Sequence, residues 1–265
     1  MRGKEKLQSL EKFLKSLNRI AIAFSGGLDS SFLTYFSKKI LGKENVLALT
    51  VYSPLKLSAE ELEESKKIAS EIDVNHKIVK FDILEEIRFN PFDRCYLCKK
   101  RIFTDLLKIA EENGFTYLCE GTNVDDLADY RPGLKAIKEL NVKSPFLEAG
   151  ITKGDIRYFA RKFKLSFWNK PSNACLISRL PYNTEISYEL IERIARAESY
   201  IKKLGFKIVR VRAHNELARI EIGENEIRKV LKKEILKKID RELKNIGFKY
   251  VSLDCSGYKM GSMNG

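Results

Sequence analysis

The sequence predicts an α/β protein: a parallel sheet flanked by helices, followed by a smaller C-terminal α+β domain. Three observations carry this. Apolar strand runs alternate with helical patterns from Ile20 to Phe163, the order that builds a parallel sheet. A Ser-Gly-Gly turn joins the first strand to its helix, at the carboxyl edge where such sheets bind ligands. From Ser187 the order changes to helix, strand, strand, helix, strand. The expected divisions are a first domain over 1–170, a linker loop over 171–186 and a small αββαβ domain over 187–265.

The bulk properties bound the reading. A chain of 265 residues with 44% hydrophobic content fills a core, and no apolar run approaches membrane-spanning length. The basic N-terminus alternates charge with Leu and Phe, so a cytoplasmic protein without membrane attachment is expected. Leu7, Leu10, Phe13, Leu14 and Leu17 form a helical stripe suited to packing on its own domain. A net charge of +13 points to anionic partners (ATP, a phosphorylated small molecule or RNA) or to a Lys-rich solvated surface. Five cysteines, an odd number, argue against a disulfide framework, and two histidines, His76 and His214, exclude a His-rich zinc site.

After the opening helix, Ile20 to Phe24 reads as a buried strand that breaks at Ser25-Gly26-Gly27-Leu28-Asp29-Ser30-Ser31 before a helix to about Leu41. Gly26 and Gly27 let the backbone turn with no Cβ in the way, so amides and the helix N-terminus converge on one anion. The hydroxyls of Ser25, Ser30 and Ser31 add donors. Asp29 would repel a phosphate unless a divalent cation lay between them, which argues for magnesium-bound nucleotide with Asp29 as the magnesium ligand. No Gly-Lys-Ser/Thr follows, so the loop is not a Walker A motif. Val46 to Tyr52 is a second buried strand, and Val51 near its end is expected to frame the adenine. Ser58 to Ile72 reads as an N-capped helix and His76 to Phe81 as a third strand.

Cys95 and Cys98 then share one face of a helix start, beside Arg94, Lys99, Lys100 and Arg101. The basic surroundings favour thiolate, which leaves a metal or cluster site, a redox pair or two incidental helix cysteines. Thr116 to Glu120 is a fourth strand ending in Gly121, where Asp125 and Asp126 either compete for the cation or cap an Asx turn. Cys119 reads as a small core residue. Ser144 to Leu147 and a helix from Thr152 to Phe163 complete the first domain.

Residues 167–184 are irregular, with Pro171, Pro181 and a lone Cys175 flanked by Ser178 and Arg179. Were Cys175 to meet Cys95 and Cys98, three ligands would leave one iron of a 4Fe-4S cluster open to hold a deliverable sulfide. The small domain follows: helix Tyr188 to Leu204, strands Phe206 to Arg212 and Leu217 to Ile222, helix Glu226 to Asn245, strand Phe248 to Asp254. Arg210 and Arg212 share one strand face, as do Arg219 and Glu221 on the next. Such arginines bind an anion or pair across to an acid.

The loop SGGLDSS resembles that of the ATP pyrophosphatase (PP-loop) family, which implies an adenine nucleotide alpha-hydrolase-like fold. SGGLDSS with RCYLCKKR, EGTNVDDLADYRPG, SPFLEAGITK, WNKPSNACLISRLPY, VRVRAH and LDCSGYKMGSMN resembles one branch, the LarE-type sulfur transferases that mature the nickel-pincer cofactor of lactate racemase. The resemblance implies adenylation of pyridinium-3,5-biscarboxylic acid mononucleotide and replacement of oxygen by sulfur. One subtype sacrifices the sulfur of a single cysteine, matching Cys175. Cys95 and Cys98 resemble the other subtype, in which three cysteines hold a sulfide-carrying 4Fe-4S cluster. Arg210 and Arg212, with Arg179, are candidates for the substrate's phosphate or second carboxylate. A homo-oligomer is implied. A PP-loop tRNA thiolase and a non-catalytic nucleotide- or zinc-binding regulator are the competing readings.

Overall fold

The computed structural model describes residues 3–55, 57–82, 84–128, 132–171 and 174–259. Asp129, Tyr130 and Arg131 of the predicted turn, Ser172 and Asn173 of the cysteine loop, and the end of the terminal motif lie outside the described residues. The chain forms two compact units, Met1–Ser53 with Ala59–Glu86 and Asp93–Asn173, and Pro54–Ser58 with Ile87–Phe92 and Ala174–Gly265.

In the first unit the helices are α1 (Gly3–Leu17), α2 (Leu28–Leu41), α3 (Ala59–Ile72), α4 (Leu84–Ile87, whose last residue belongs to the second unit), α5 (Arg94–Glu112), α6 (Gly133–Glu139), α7 (Pro145–Glu148) and α8 (Lys153–Lys162). The strands β1 (Ile20–Ala23), β2 (Val46–Tyr52), β3 (Asn75–Lys80) and β4 (Tyr117–Cys119) form one parallel sheet in the order β3-β2-β1-β4. Ile20 stands opposite Val46 on one side and Tyr117 on the other. With β1 central, the loop after it lies where strand order reverses, the crevice position of open α/β sheets.

The α1 stripe is real: Leu10, Leu14 and Leu17 are buried, and Leu7 and Phe13 pack against the same core. Phe32 of α2 is its hub, with ring centroids of Phe36, Phe146, Phe159 and Phe163 at 6.0, 6.1, 6.1 and 6.3 Å. Removing such a fully buried ring costs about 3–5 kcal/mol. The helix that carries the Gly-Gly loop is therefore held in the core by a cluster of aromatic rings.

The second unit holds α9 (Tyr188–Lys203), β5 (Val209–His214), β6 (Leu217–Ile222), α10 (Ile227–Val230), α11 (Lys233–Ile246) and β7 (Tyr250–Leu253). Its sheet runs β5-β6-β7, the first pair antiparallel and the second parallel. Two expectations need correction. Strand β5 begins at Val209, not Phe206, because Glu226 accepts the Lys207 and Ile208 amides at 3.0 and 3.1 Å outside the strand ladder. The single helix expected over Glu226 to Asn245 breaks at Leu231 and Lys232, where Lys232 is extended. Val230 and Ile239 are both buried, as are Leu243 and Ile246. Val230 is out of step with that later stripe, and only a break lets one chain bury both.

Residues 87–92 join this unit through Asn90, fully buried, whose Nδ2 donates to Leu180 O at 3.2 Å and Pro181 O at 2.6 Å. Backbone bonds from Asn183 to Asn90 and from Ile186 to Arg88 complete the attachment.

Candidate active site

The turn between β1 and α2 is built for close approach. Gly26 has φ +68°, and a Cβ on it would lie 2.8 Å from Ser65 Cβ and 2.9 Å from Ser65 Cα on α3. No other residue fits without moving that helix. Gly27 is the N-cap of α2 and makes no side-chain hydrogen bond to the first turn, whose amides have no partner within the helix. Ser30 Oγ accepts from Ser25 N at 3.2 Å, lies 3.0 Å from Ser25 Oγ and donates to Gly27 O at 3.3 Å. Ser31 is fully buried. Behind the loop, Thr50 Oγ1 donates to Phe24 O at 2.8 Å and stands 2.7 Å from His76 Nε2. Burial and, secondarily, Lys66 lower His76 below its ordinary range, so it is neutral at pH 7.

Asp29 sits in the first turn of α2 and pairs with Lys153 Nζ. Lys153 opens α8 behind Thr152, which caps the helix with Asp155 in a reciprocal pair of bonds, and Lys153 N donates to Asp125 Oδ2 at 2.8 Å. Gly121 closes in from β4: a Cβ there would meet Ser30 N at 3.1 Å and Asp29 Cβ at 3.2 Å. Asp126 Oδ2 accepts from Asn123 N at 3.0 Å and Nδ2 at 2.9 Å, and Asp125 N donates to Asn123 Oδ1 at 3.0 Å. Asn123 Oδ1 thus builds an Asx-type turn over Asp125, and Asp126 accepts in return from Asn123. Val51 is half-buried near the end of β2, opposite Val79.

Asp29 offers hard oxygen donors, for which magnesium would compete with the Lys153 ammonium, and magnesium needs only one or two protein carboxylates beside nucleotide oxygens and water. Asp29 fits that role. Among the described residues, no group of three or more His, Cys, Asp or Glu side chains is gathered for a metal ion.

Of the five thiols, Cys95 is exposed and Cys98 buried near the start of α5 in the first unit, and Cys175 is half-buried in the second. Cys119 is a fully buried core residue. Burial, reinforced by the Glu120 charge, pushes its thiol well above the ordinary range and removes it as a nucleophile.

Cys175 precedes a short 3-10 turn, Leu176–Arg179, and its Sγ donates to Leu55 O at 3.7 Å. Arg179 Nη1 donates to Ala174 O at 3.0 Å, Cys175 O at 3.2 Å and Ser178 Oγ at 2.9 Å. Its other nitrogens meet Glu198 at 2.7 and 3.1 Å. Glu198 Oε1 also accepts Val211 N at 3.0 Å. Arg212 donates to Ser178 O at 2.7 Å and grips Glu221 at 3.0 and 2.8 Å. Arg219 reaches Glu221 at 3.3 Å and Asp254 at 3.6 Å.

Arg212 is therefore paired to an acid, one of the two alternatives for the strand arginines, and Arg179 is paired to Glu198. Arg210, 6% exposed, lies with its guanidinium carbon 5.1 Å from the Tyr258 ring centroid. Burial, then the Arg179 charge, lower it from its usual range against the opposing pull of Glu198. Among the described residues, Arg179, Arg210 and Arg212 are buried together with Glu198 and Glu221, while Arg219 and Asp254 keep part of their surface in solvent.

Three participants escaped the sequence reading. Glu198 stands on the apolar stripe of α9 between Ile194 and Ile201, and a charge on a buried stripe was its signal. Lys153 opens a helix, where the macrodipole disfavours a cation, and that mismatch flags work toward an anion. Lys170, whose Nζ donates to Gly26 O at 2.8 Å, left no local signal.

A parallel sheet with a glycine loop at its reversal point, an acid in the following helix turn and a lysine facing that acid defines an ATP-using PP-loop enzyme. The NAD synthase family model matches residues 6–108. The chain is 39% identical over 98% of its length to an uncharacterized protein of Synechocystis, covering 97% of that protein. It is 37% identical to the pyridinium-3,5-bisthiocarboxylic acid mononucleotide synthase of Lactiplantibacillus plantarum, covering 98% of this chain and 94% of that one. The chain belongs to the family of that synthase, the LarE-type sulfur transferases. A tRNA-specific 2-thiouridylase of Thermoanaerobacter is 25% identical, over 68% of this chain and 61% of its own. Among the described residues, no helix is long and apolar enough to cross a membrane.

Proposed function

We propose that the protein adenylates a carboxylate of pyridinium-3,5-biscarboxylic acid mononucleotide with ATP and installs sulfur to give a thiocarboxylate. The observation that carries the reading is the near full-length identity to a synthase named for the bisthiocarboxylic product. In this reading residues 1–170 bind ATP, 171–186 present Cys175 and 187–265 receive the substrate.

A substrate carboxylate oxygen attacks the α-phosphorus of ATP and pyrophosphate leaves. The amides at Gly26 and Gly27, the Ser25 and Ser30 hydroxyls and the α2 N-terminus bind the departing anion, with Val51 and Gly121 beside the nucleotide. Asp29 is the residue to hold Mg2+, which when bound neutralises polyphosphate charge. Asp125 and Asp126 shape the turn that seats Lys153 near Asp29. The acyl adenylate makes the former carboxylate oxygen part of a good leaving group. Sulfur attacks the carbonyl carbon and AMP departs with that oxygen.

We assign Cys95, Cys98 and Cys175 as the residues to hold a 4Fe-4S cluster, a group that supplies a labile sulfide. Soft thiolates in a basic neighbourhood suit it, and Arg94 directly precedes Cys95. Arg210, Arg212 and Arg179 are assigned to the substrate's anionic groups, on the support of guanidinium chemistry, which matches carboxylate and phosphate. The reading places the enzyme in the cytoplasm as a homo-oligomer.

Anaerobically purified protein, given ATP, Mg2+ and the dicarboxylate mononucleotide, is expected to release pyrophosphate only with substrate and to yield a sulfur-bearing product by mass spectrometry. Pyrophosphate release without substrate dependence, or sulfur transfer surviving Cys175→Ala, would overturn it. The net charge of +13 and the thiouridylase similarity favour tRNA as a second substrate class. Tight tRNA binding with a steep salt slope would replace the first reading by that one.

A further inference from the structure

Lys170 lies in the segment before the cysteine turn, yet its ammonium works at the Gly-Gly loop. Nζ donates to Gly26 O at 2.8 Å and pairs with Glu64 of α3 at 2.8 Å, with 13% of the Lys170 side chain exposed. The contact spans 144 positions of chain. A trans peptide plane points its carbonyl oxygen and the next amide in opposite directions. Whatever holds Gly26 O thus aims Gly27 N–H, which here faces Ser25 Oγ at 3.3 Å.

That plane lies between two glycines, the residues that least resist its rotation. Ser65, against the missing Cβ of Gly26, fixes where the residue sits. It does not decide which way the carbonyl turns. Turned the other way, the Gly26 oxygen would present a partial negative charge to a polyphosphate and withdraw a donor from it. A half-buried ammonium on the carbonyl opposes that rotation, and Glu64 pairs with the same ammonium.

The geometry points to Lys170 as the positioning residue of the phosphate loop: it holds the Gly26 carbonyl away from the anion and so keeps Gly27 N–H on the side of the Ser25 hydroxyl, where the anion binds. This rests on reading Ser25 to Ser31 as the loop that binds the polyphosphate. Lys170 acts through the backbone, without needing to touch the phosphate.

Glycine follows glycine once in the chain, at Gly26-Gly27. Protein labelled with 13C-carbonyl, 15N glycine therefore gives one carbonyl-amide correlation, that of the peptide in question. In the wild type this peak is expected to move on titration with magnesium pyrophosphate. Lys170→Met is expected to shift the Gly26 carbonyl before any ligand is added, and to weaken magnesium pyrophosphate binding about tenfold. Lys170→Arg, which still donates to the carbonyl, is expected to restore both. Glu64→Gln is expected to produce a smaller change of the same sign. An unshifted Gly26 carbonyl in Lys170→Met overturns the proposal, including the case where binding weakens because the lysine touches phosphate directly. A wild-type peak indifferent to magnesium pyrophosphate instead overturns the phosphate-loop reading itself.

Discussion

Arg179 and Glu198 meet as a bidentate pair, Nε to Oε1 at 2.7 Å and Nη2 to Oε2 at 3.1 Å, with side chains 3% and 4% exposed. The guanidinium's remaining nitrogen ties down the carbonyls of Ala174 and Cys175. The backbone of the candidate sulfur-bearing residue is thus fastened to a buried ion pair, a rigid mount on a segment rich in Pro and Asn.

Breaking that pair leaves a buried charge. Arg179→Met is expected to destabilise the second unit by about 3–5 kcal/mol, and the double change Arg179→Met with Glu198→Leu to recover much of it. Urea unfolding followed at that unit checks both. If the single change costs under about 1 kcal/mol, the pair is not the mount described.

The same carboxylate predicts an acid transition. Burial alone would raise Glu198, but the Arg179 hydrogen bonds and charge, then Arg210 and the Val211 amide, hold it below its ordinary 4.5. A depressed carboxyl stabilises fully above that ordinary value, and the stabilisation disappears as pH falls through the folded value. Urea midpoints are expected to hold constant down to about pH 5 and then fall. Glu198→Gln should flatten the acid limb.

Gly26→Ala places a Cβ within 3 Å of Ser65 at a positive φ. Such strain costs on the order of 1–3 kcal/mol, and the displaced loop is expected to lose ATP binding by calorimetry. Gly27→Ala meets only Ser25 Oγ at 3.2 Å and should be milder.

Asp29→Asn is expected to slow magnesium-dependent pyrophosphate release on the order of 10²-fold while leaving the melting temperature within a few degrees. A variant that keeps its rate at saturating Mg2+ removes Asp29 from the metal.

Thiol exposure gives a last check. Iodoacetamide under native conditions should modify Cys95 and Cys255 first and leave Cys119 untouched, since the first two are exposed and the third is sealed in β4. Peptide mapping that finds Cys119 modified would contradict its burial.

Much of this architecture was legible locally. Val46 to Tyr52 and Leu217 to Ile222 begin and end where the apolar and alternating runs do, because period and turn chemistry are short-range properties. The α2 helix ends at Leu41, as its pattern implies. The break at Leu231 was not legible, since a Lys-rich helical pattern runs through it and only the burial of Val230 out of phase requires it. Nor was the membership of Ile87–Phe92 in the second unit, with Asn90 reaching Leu180 and Pro181 some 90 positions away, or that of Pro54–Ser58, where Leu55 O accepts from Cys175 Sγ.

By itself, then, the sequence determined the α/β class, the glycine loop that only glycine can build, and the family, because each is written in contiguous residues. Which acid would meet which arginine, and that a lysine far down the chain would hold the Gly26 carbonyl, was decided by tertiary structure. Charged groups buried together must be paired by whichever partner the packing delivers, and packing is set by contacts that no local window contains.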